Sequence, residues 1–366
     1  TRDLTRQQLD DALDHLEAQV EFSSNPGEVS VNIQCKRKAL PEVLRLLRKT
    51  LREPSFPADE FDVLKRQTLE SLQKTLAEPS SLASRALKRA LYPYDKDDVR
   101  YTPTIEADID RVKALTLDKV RRLYTEQLGG QHGELAIVGD FDADTAVKLA
   151  GEALKDWKNG TEYRRIERKA FPDVKGQLFT INTPDKENAI YLAAQTFALK
   201  DSDPDYAALR VGNYLFGGPE ARLWKRIREK EGLSYGVGSH LTAGLLSPSG
   251  SFYIFGQCAP DGMPKVEKAV AEELEKFLKE GAQQKELEEG IKAILLERKN
   301  ERGSDEVLVG LLATNLEAGR TFAFQAAIEK KVTSLTPEQV NAAFRKYIEP
   351  KRLVIVRAGD FKKPSK

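Results

Sequence analysis

Residues 115–141, LTLDKVRRLYTEQLGGQHGELAIVGDF, recur without a gap at 335–361 as LTPEQVNAAFRKYIEPKRLVIVRAGDF. Each copy reads as a helix opened by a threonine cap, Thr116 or Thr336, and the second adds Pro337 at the first helical position. Val120, Tyr124 and Leu128 match Val340, Phe344 and Ile348 at helical spacing, and an apolar strand ending in Gly-Asp-Phe follows in both. Upstream, SVNIQC at 30–35 and SFYIFGQC at 251–258 read as equivalent strands, each leading into an amphipathic helix, ALPEVLRLLRKTL or MPKVEKAVAEELEKFL. Their shared cysteines, Cys35 and Cys258, read as small core residues rather than reactive thiols. Long charged helices then occupy 58–76 and 284–301. The chain is therefore an internal duplication, which must be recognised before any local reading.

A chain of 366 residues exceeds what one core usually serves, so two domains are expected. The polar stretch WKNGTEYRRIERKAFPDVK at 157–175, punctuated by Gly160 and Pro172, reads as the connection. This gives a first domain at 1–157, a linker at 158–175 and a second domain at 176–366. The second opens with a strand, QLFTINTP, and a near-continuous apolar strand, AIYLAAQTFA. A helix from Asp205 to Phe216 follows, with Ser202 or Asp203 as cap, Pro204 at its start and Gly217-Gly218 at its end. The stretch from about Gln177 to the helix at Arg222 finds no partner in the first copy, which opens near the equivalent helix, Thr5 to Leu16. The first domain is thus expected to lack its N-terminal part, and Thr1 is not expected to be the native start.

Composition narrows the function classes. With 58 Lys+Arg against 57 Asp+Glu the net charge is +1, and no arginine-rich tract is interleaved with aromatics, which argues against a nucleic-acid partner. No run of eighteen apolar residues is present to span a membrane, and Thr1–Asp10 is too polar for a signal peptide. The compartment stays open between a periplasm and a cytoplasm, bacterial or organellar. His15, His132 and His240 are scattered without zinc-ligand spacing and read as surface or structural side chains.

Residues 215–239, LFGGPEARLWKRIREKEGLSYGVGS, carry the functional signal. A glycine pair precedes a helix that Gly232 ends, and a strand starts near Ser234. Period-two geometry places Tyr235, Val237 and Ser239 on one face of that strand. Alone, Arg228 would be a solvated helix charge and Tyr235 a half-buried strand residue. Together, Leu-Phe-Gly-Gly, Arg222-Leu223, Ile227-Arg228-Glu229 and Gly232-Leu233-Ser234-Tyr235 resemble the second-half signature of the insulinase/pitrilysin-type (inverzincin) zinc metallopeptidases. The duplication, Glu78-Pro79, the Val-Gly-Asp at 138–140 and the stretch from Tyr347 to Asp360 are similar to that family as well.

The resemblance implies two homologous α+β domains, each a mostly antiparallel sheet with helices on one face. It implies a clamshell of two such halves, one bearing an inverted zinc motif and the other an Arg/Tyr pair matched here by Arg228 and Tyr235. A guanidinium can grip peptide carbonyls, and a phenol can donate to an oxygen that becomes negative as water attacks. The H-x-x-E-H pattern that holds zinc and supplies the base is absent from the chain. Ser71 stands where the resemblance places the third ligand, with Glu70 beside it, about 100° away around the helix. The expectation is thus a non-catalytic, substrate-binding half with no metal of its own. Zinc is expected in a partner half, in another chain or a missing N-terminal segment, and a peptide is the substrate. The rivals are an inactive structural or binding module of the same fold and a truncated piece of a self-sufficient zinc peptidase.

Overall fold

A computed structural model of the chain describes residues 1–361. In chain order the elements begin α1 (Arg6–His15), β1 (Gln19–Asn25), β2 (Glu28–Gln34), α2 (Leu40–Arg52), α3 (Ala58–Thr75), α4 (Pro79–Leu91), α5 (Ile105–Lys113), α6 (Leu117–Gln127) and α7 (Ala143–Leu154). They continue with β3 (Gln177–Asn182), β4 (Ala189–Phe197), α8 (Tyr206–Gly217), α9 (Arg222–Trp224), β5 (Gly236–Thr242), β6 (Gly250–Cys258) and α10 (Met263–Glu280). The chain finishes with α11 (Gln284–Glu301), α12 (Asp305–Glu317), α13 (Ala323–Thr333), α14 (Pro337–Tyr347) and β7 (Val354–Gly359). The fold is α+β. Two compact units interleave along the chain, one holding residues 1–71, 109–166 and 308–313, the other 72–108, 167–307 and the residues from Thr314 onward. This division follows packing, whereas the sequence reading divides the chain around a connection at 158–175.

The larger unit is built on a sheet ordered β3-β7-β4-β6-β5, in which only the β3–β7 pair is parallel. Central β4 is buried along nearly its whole length, as its near-continuous apolar sequence requires. On β6 burial alternates, so Phe252, Ile254 and Cys258 face the helices while Tyr253 and Phe255 face the other way. α8, α10 and α14 close the first face around Phe216, Phe252, Phe277 and Phe344, whose ring centroids lie 4.8 to 5.9 Å apart. Fully burying such side chains stabilises by about 1.5–3 kcal/mol each. On the opposite face, Ala83, Leu87 and Leu91 of α4 pack on Leu192, Ala194, Val354, Val356 and Ala358. The Thr336 hydroxyl accepts from the Gln339 amide while the Gln339 side chain accepts from the Thr336 amide, a reciprocal cap that starts α14 at the residue its sequence indicates.

The smaller unit contains the counterpart hairpin. β1 and β2 pair antiparallel with Gln19 opposite Gln34, as Gly236 lies opposite Gln257 in β5–β6. Val43 of α2 is fully buried against Ala18 and Ala39. Thr116 caps α6 as Thr336 caps α14. One expectation fails here. The apolar stretch 134–139, equivalent to β7, forms no ladder. β7 is a strand because β3 and β4 flank it on both sides. Among the described residues of the smaller unit the only sheet is the β1–β2 pair, so 134–139 has no neighbour to bond.

Candidate functional site

The signature at 215–239 folds into a continuous frame within the larger unit. α8 ends at Gly217 directly against β5: a Cβ on Gly217 would lie 2.5 Å from the Ser239 amide nitrogen, so only glycine allows this approach. α9 then runs without a break into a π-helical stretch, Lys225–Lys230, the kind of local unwinding that recurs at functional sites. Leu223 and Ile227 are fully buried and anchor the inner side of this turn. Its start is held by Arg222, whose guanidinium bonds both Glu286 oxygens (2.7 and 2.6 Å) and the Gly281 carbonyl (2.9 Å) and lies 4.7 Å from the Phe277 ring centre. Its far end is held by Arg226, paired with Glu231 and, at 2.9 Å, with Glu272 of α10. Gly232, at φ +64°, reverses the chain, and the Leu233 amide donates to the Ile227 carbonyl (2.9 Å) to close the helix.

Arg228 lies on the solvent side of this frame. Its guanidinium is 5.4 Å from the centre of the Trp224 ring one turn back, and Nη1 donates to the Tyr235 carbonyl at 3.3 Å. The frame therefore brings Arg228 and Tyr235 together, through the tyrosine backbone rather than its ring. Tyr235 does not share a strand face with Val237 and Ser239, where period two placed it, and it is not the half-buried strand residue it would be if read alone. β5 begins one residue later, Val237 is buried, Ser239 bonds Asn213 of α8 at 2.8 Å, and Tyr235 is 89% exposed. The strand period starts only where the ladder does. Among the described residues the phenol has no hydrogen-bond partner and is available to donate.

Ser234 is a positioning residue that the sequence reading passed over. It is buried, and its hydroxyl reaches the Gln257 carbonyl at 2.5 Å and the Gly236 carbonyl at 2.9 Å while accepting from the Gly236 amide at 3.2 Å. It thus pins the chain on the inner side of the residue that projects Tyr235 outward. A serine beside the tyrosine is the only sequence signal for it.

Elsewhere, Glu70 and Ser71 are both exposed on α3, and His132 stacks on Tyr163 at 4.4 Å. Among the described residues no three His, Cys, Asp or Glu side chains come together as metal ligands, so the residues present do not fit a zinc site. Cys258 is buried in the larger core, where desolvation pushes its thiol up to about 11.

Residues 114–294, which include the whole signature, match the family model described as the peptidase M16 inactive domain. Among curated proteins, the chain is 25% identical over 229 residues to an uncharacterized zinc protease of Streptomyces coelicolor, covering 61% of this chain and 48% of that protein. It is also 25% identical over 218 residues to a Bacillus subtilis protein named "Probable inactive metalloprotease YmfF", covering 57% and 49%. The chain spans about half the length of the curated relatives it matches. The fold is that of the crystal structure of a peptidase M16 inactive domain from Pseudomonas fluorescens, with a TM-score of 0.81 at 23% identity over 98% of this chain and 85% of that one. A protease from Helicobacter pylori superposes with a TM-score of 0.82 at 15% identity, covering 99% and 86%. The periplasmic protease PqqL of Escherichia coli superposes at 0.71 and 14% identity, covering 97% of this chain and 39% of that one. The signature, the fold and the family match agree, and residues 114–294 belong to the peptidase M16 family as its inactive-domain type.

Proposed function

We propose that the chain is the substrate-gripping half of a zinc endopeptidase, working with a second half that carries the metal. The observation that carries this reading is the unspent chemistry of Arg228 and Tyr235 on a frame held by Gly217, Arg222, Leu223, Arg226, Ile227 and Ser234. A preorganised donor stabilises developing charge without reorganising at the moment of reaction, which is why rigidity around an exposed phenol matters. Tyr235 donates its O–H to the peptide carbonyl oxygen as that oxygen becomes negative. Arg228 keeps four of its five N–H donors for carbonyls of the bound peptide. The partner half supplies zinc, its water and the base.

The Bacillus subtilis relative is named as inactive, and a binding module without turnover is the second reading. The two separate in a reconstitution with an H-x-x-E-H half and a fluorogenic peptide. The endopeptidase reading expects no hydrolysis by either chain alone and hydrolysis that saturates at equimolar mixing. Cleavage by the zinc-bearing half at the same rate with and without this chain would contradict it.

A further inference from the structure

In the larger unit, α4 covers only part of the sheet face on which it lies. Ala83, Leu87 and Leu91 recur every fourth residue along α4 and pack on β4 and β7. On β6, next in the sheet, the side chains on this face are Ser251, Tyr253 and Phe255, and Tyr253 lies opposite Ala194 of β4. The methyl of Ala194 and the short side chain of Ser251 do not fill the space between Leu87, Leu91 and the Tyr253 ring, and a cavity of about 190 Å³ results. This is below the roughly 300–1,000 Å³ of clefts that take a whole small ligand, and it suits one large side chain. Its walls are braced: Tyr253 stacks on Phe255 with ring centres 6.3 Å apart, and Tyr92 meets Phe171 edge-on at 6.2 Å. Burial raises both phenols, while the Ser251 hydroxyl and the Arg168 guanidinium pull Tyr92 the other way.

The rim is basic. Ser84 and Lys88, one turn apart on the outer side of α4, are exposed and border the cavity. Two neighbouring cations of α4 are already spent, Arg85 on Asp108 and on the Pro103 carbonyl at 2.9 Å, and Arg89 on the Thr102 carbonyl at 2.8 Å. Among the described residues the Lys88 ammonium has no hydrogen-bond or ion-pair partner, and no carboxylate borders the cavity. Arg168 adds a second positive charge near Tyr92. An apolar slot for one side chain, edged by positive charge and by no negative charge, is complementary to an apolar residue that carries a carboxylate of its own.

We propose that this cavity binds the C-terminal residue of a peptide, a phenylalanine or a leucine, whose side chain enters between Leu91 and Tyr253 and whose free carboxylate meets Lys88. The end of a chain is where an apolar side chain and a carboxylate fall on one residue. Neither Arg228 nor Tyr235 takes part in this binding, which holds whether or not they act on a peptide.

Fluorescence polarisation of a labelled hexapeptide ending in phenylalanine reads the affinity, against the same peptide amidated at its C-terminus and against one ending in glycine. The free acid should bind, amidation should weaken it about fivefold, the worth of one partly exposed ion pair, and glycine should weaken it by about tenfold or more. Lys88→Met should erase the difference between acid and amide, whereas Arg228→Ala should leave it in place. Ser84→Trp, at an exposed position whose indole fills the cavity, should abolish binding with the helical circular dichroism unchanged. No binding of the free acid, equal affinity for acid and amide, a difference that survives Lys88→Met or vanishes in Arg228→Ala, or binding unaltered by Ser84→Trp would each overturn the proposal.

Discussion

Replacing Ser234 by alanine removes the pin beneath Tyr235 without touching Tyr235 or Arg228. The hydroxyl has one hydrogen, which serves the Gln257 or the Gly236 carbonyl at 2.5 or 2.9 Å, and it accepts one bond from the Gly236 amide at 3.2 Å. Two bonds are therefore lost at once, each with a net worth of about 1 kcal/mol, so the start of β5 should be destabilised by roughly 2 kcal/mol. Water does not readily replace them, because Ser234 is 5% exposed. At 1.4 kcal/mol per tenfold, the Gly236–Ser239 segment should open about 30-fold more often. Amide exchange reads this directly at Gly236 to Ser239, with the amides of central β4 as the internal reference. In the reconstituted peptidase the same variant should lower turnover although both donors remain. Exchange at these amides within a factor of two of the parent would refute the idea that Ser234 sets the frame.

Phe344→Ala should cost about 3–5 kcal/mol in urea unfolding of the larger unit, since its ring touches those of Phe216, Phe252 and Phe277; a loss below 1 kcal/mol would deny that these rings form one core. With its thiol near 11, Cys258 should resist iodoacetamide at pH 8 in the folded chain and react only on unfolding, while half-buried Cys35 labels first; equal rates would contradict the burial. Asp98 is held near 2 by hydrogen bonds from the Arg100 side chain and amide. Because its folded value lies below the ordinary 3.8, its contribution to stability is present above about pH 4 and lost as the pH falls toward 2. Titration of its carboxyl carbon by NMR should show this, and Arg100→Ala should return the midpoint toward 3.8. Gly217→Ala should destabilise the contact of α8 with β5, because the new carbon meets the Ser239 backbone nitrogen as well as its hydroxyl, and the backbone cannot turn aside; an unchanged urea midpoint would refute that account.

The sequence disclosed most where a local pattern settles a local structure. Thr116 and Thr336 cap the helices they were read to cap, and the alternation of β6 sorts Phe252 from Tyr253. It disclosed less where structure depends on a neighbour. The segment 134–139 is as apolar as its repeat partner, yet a strand exists only where another strand offers carbonyls and amides, and apolarity alone cannot show that. Tyr235 likewise carries the strand-like flanks of its motif, but the ladder begins at Gly236 and leaves the ring in solvent. The π-helical turn at Lys225–Lys230 was invisible because its residues are ordinary helix formers; the shape is set by the anchors Leu223 and Ile227 and by the ion pairs of Arg222 and Arg226.

The most direct test of the central claim is a comparison of Tyr235→Phe with the parent chain, each mixed with the same zinc-bearing half and assayed for kcat and KM on one fluorogenic peptide. Removing a single donor to a developing oxyanion should lower kcat by about 10²–10³-fold with little change in KM, while the frame, checked by amide exchange at Gly236 to Ser239, stays as it was. A variant that keeps the parent kcat would show that the phenol of Tyr235 takes no part in the reaction.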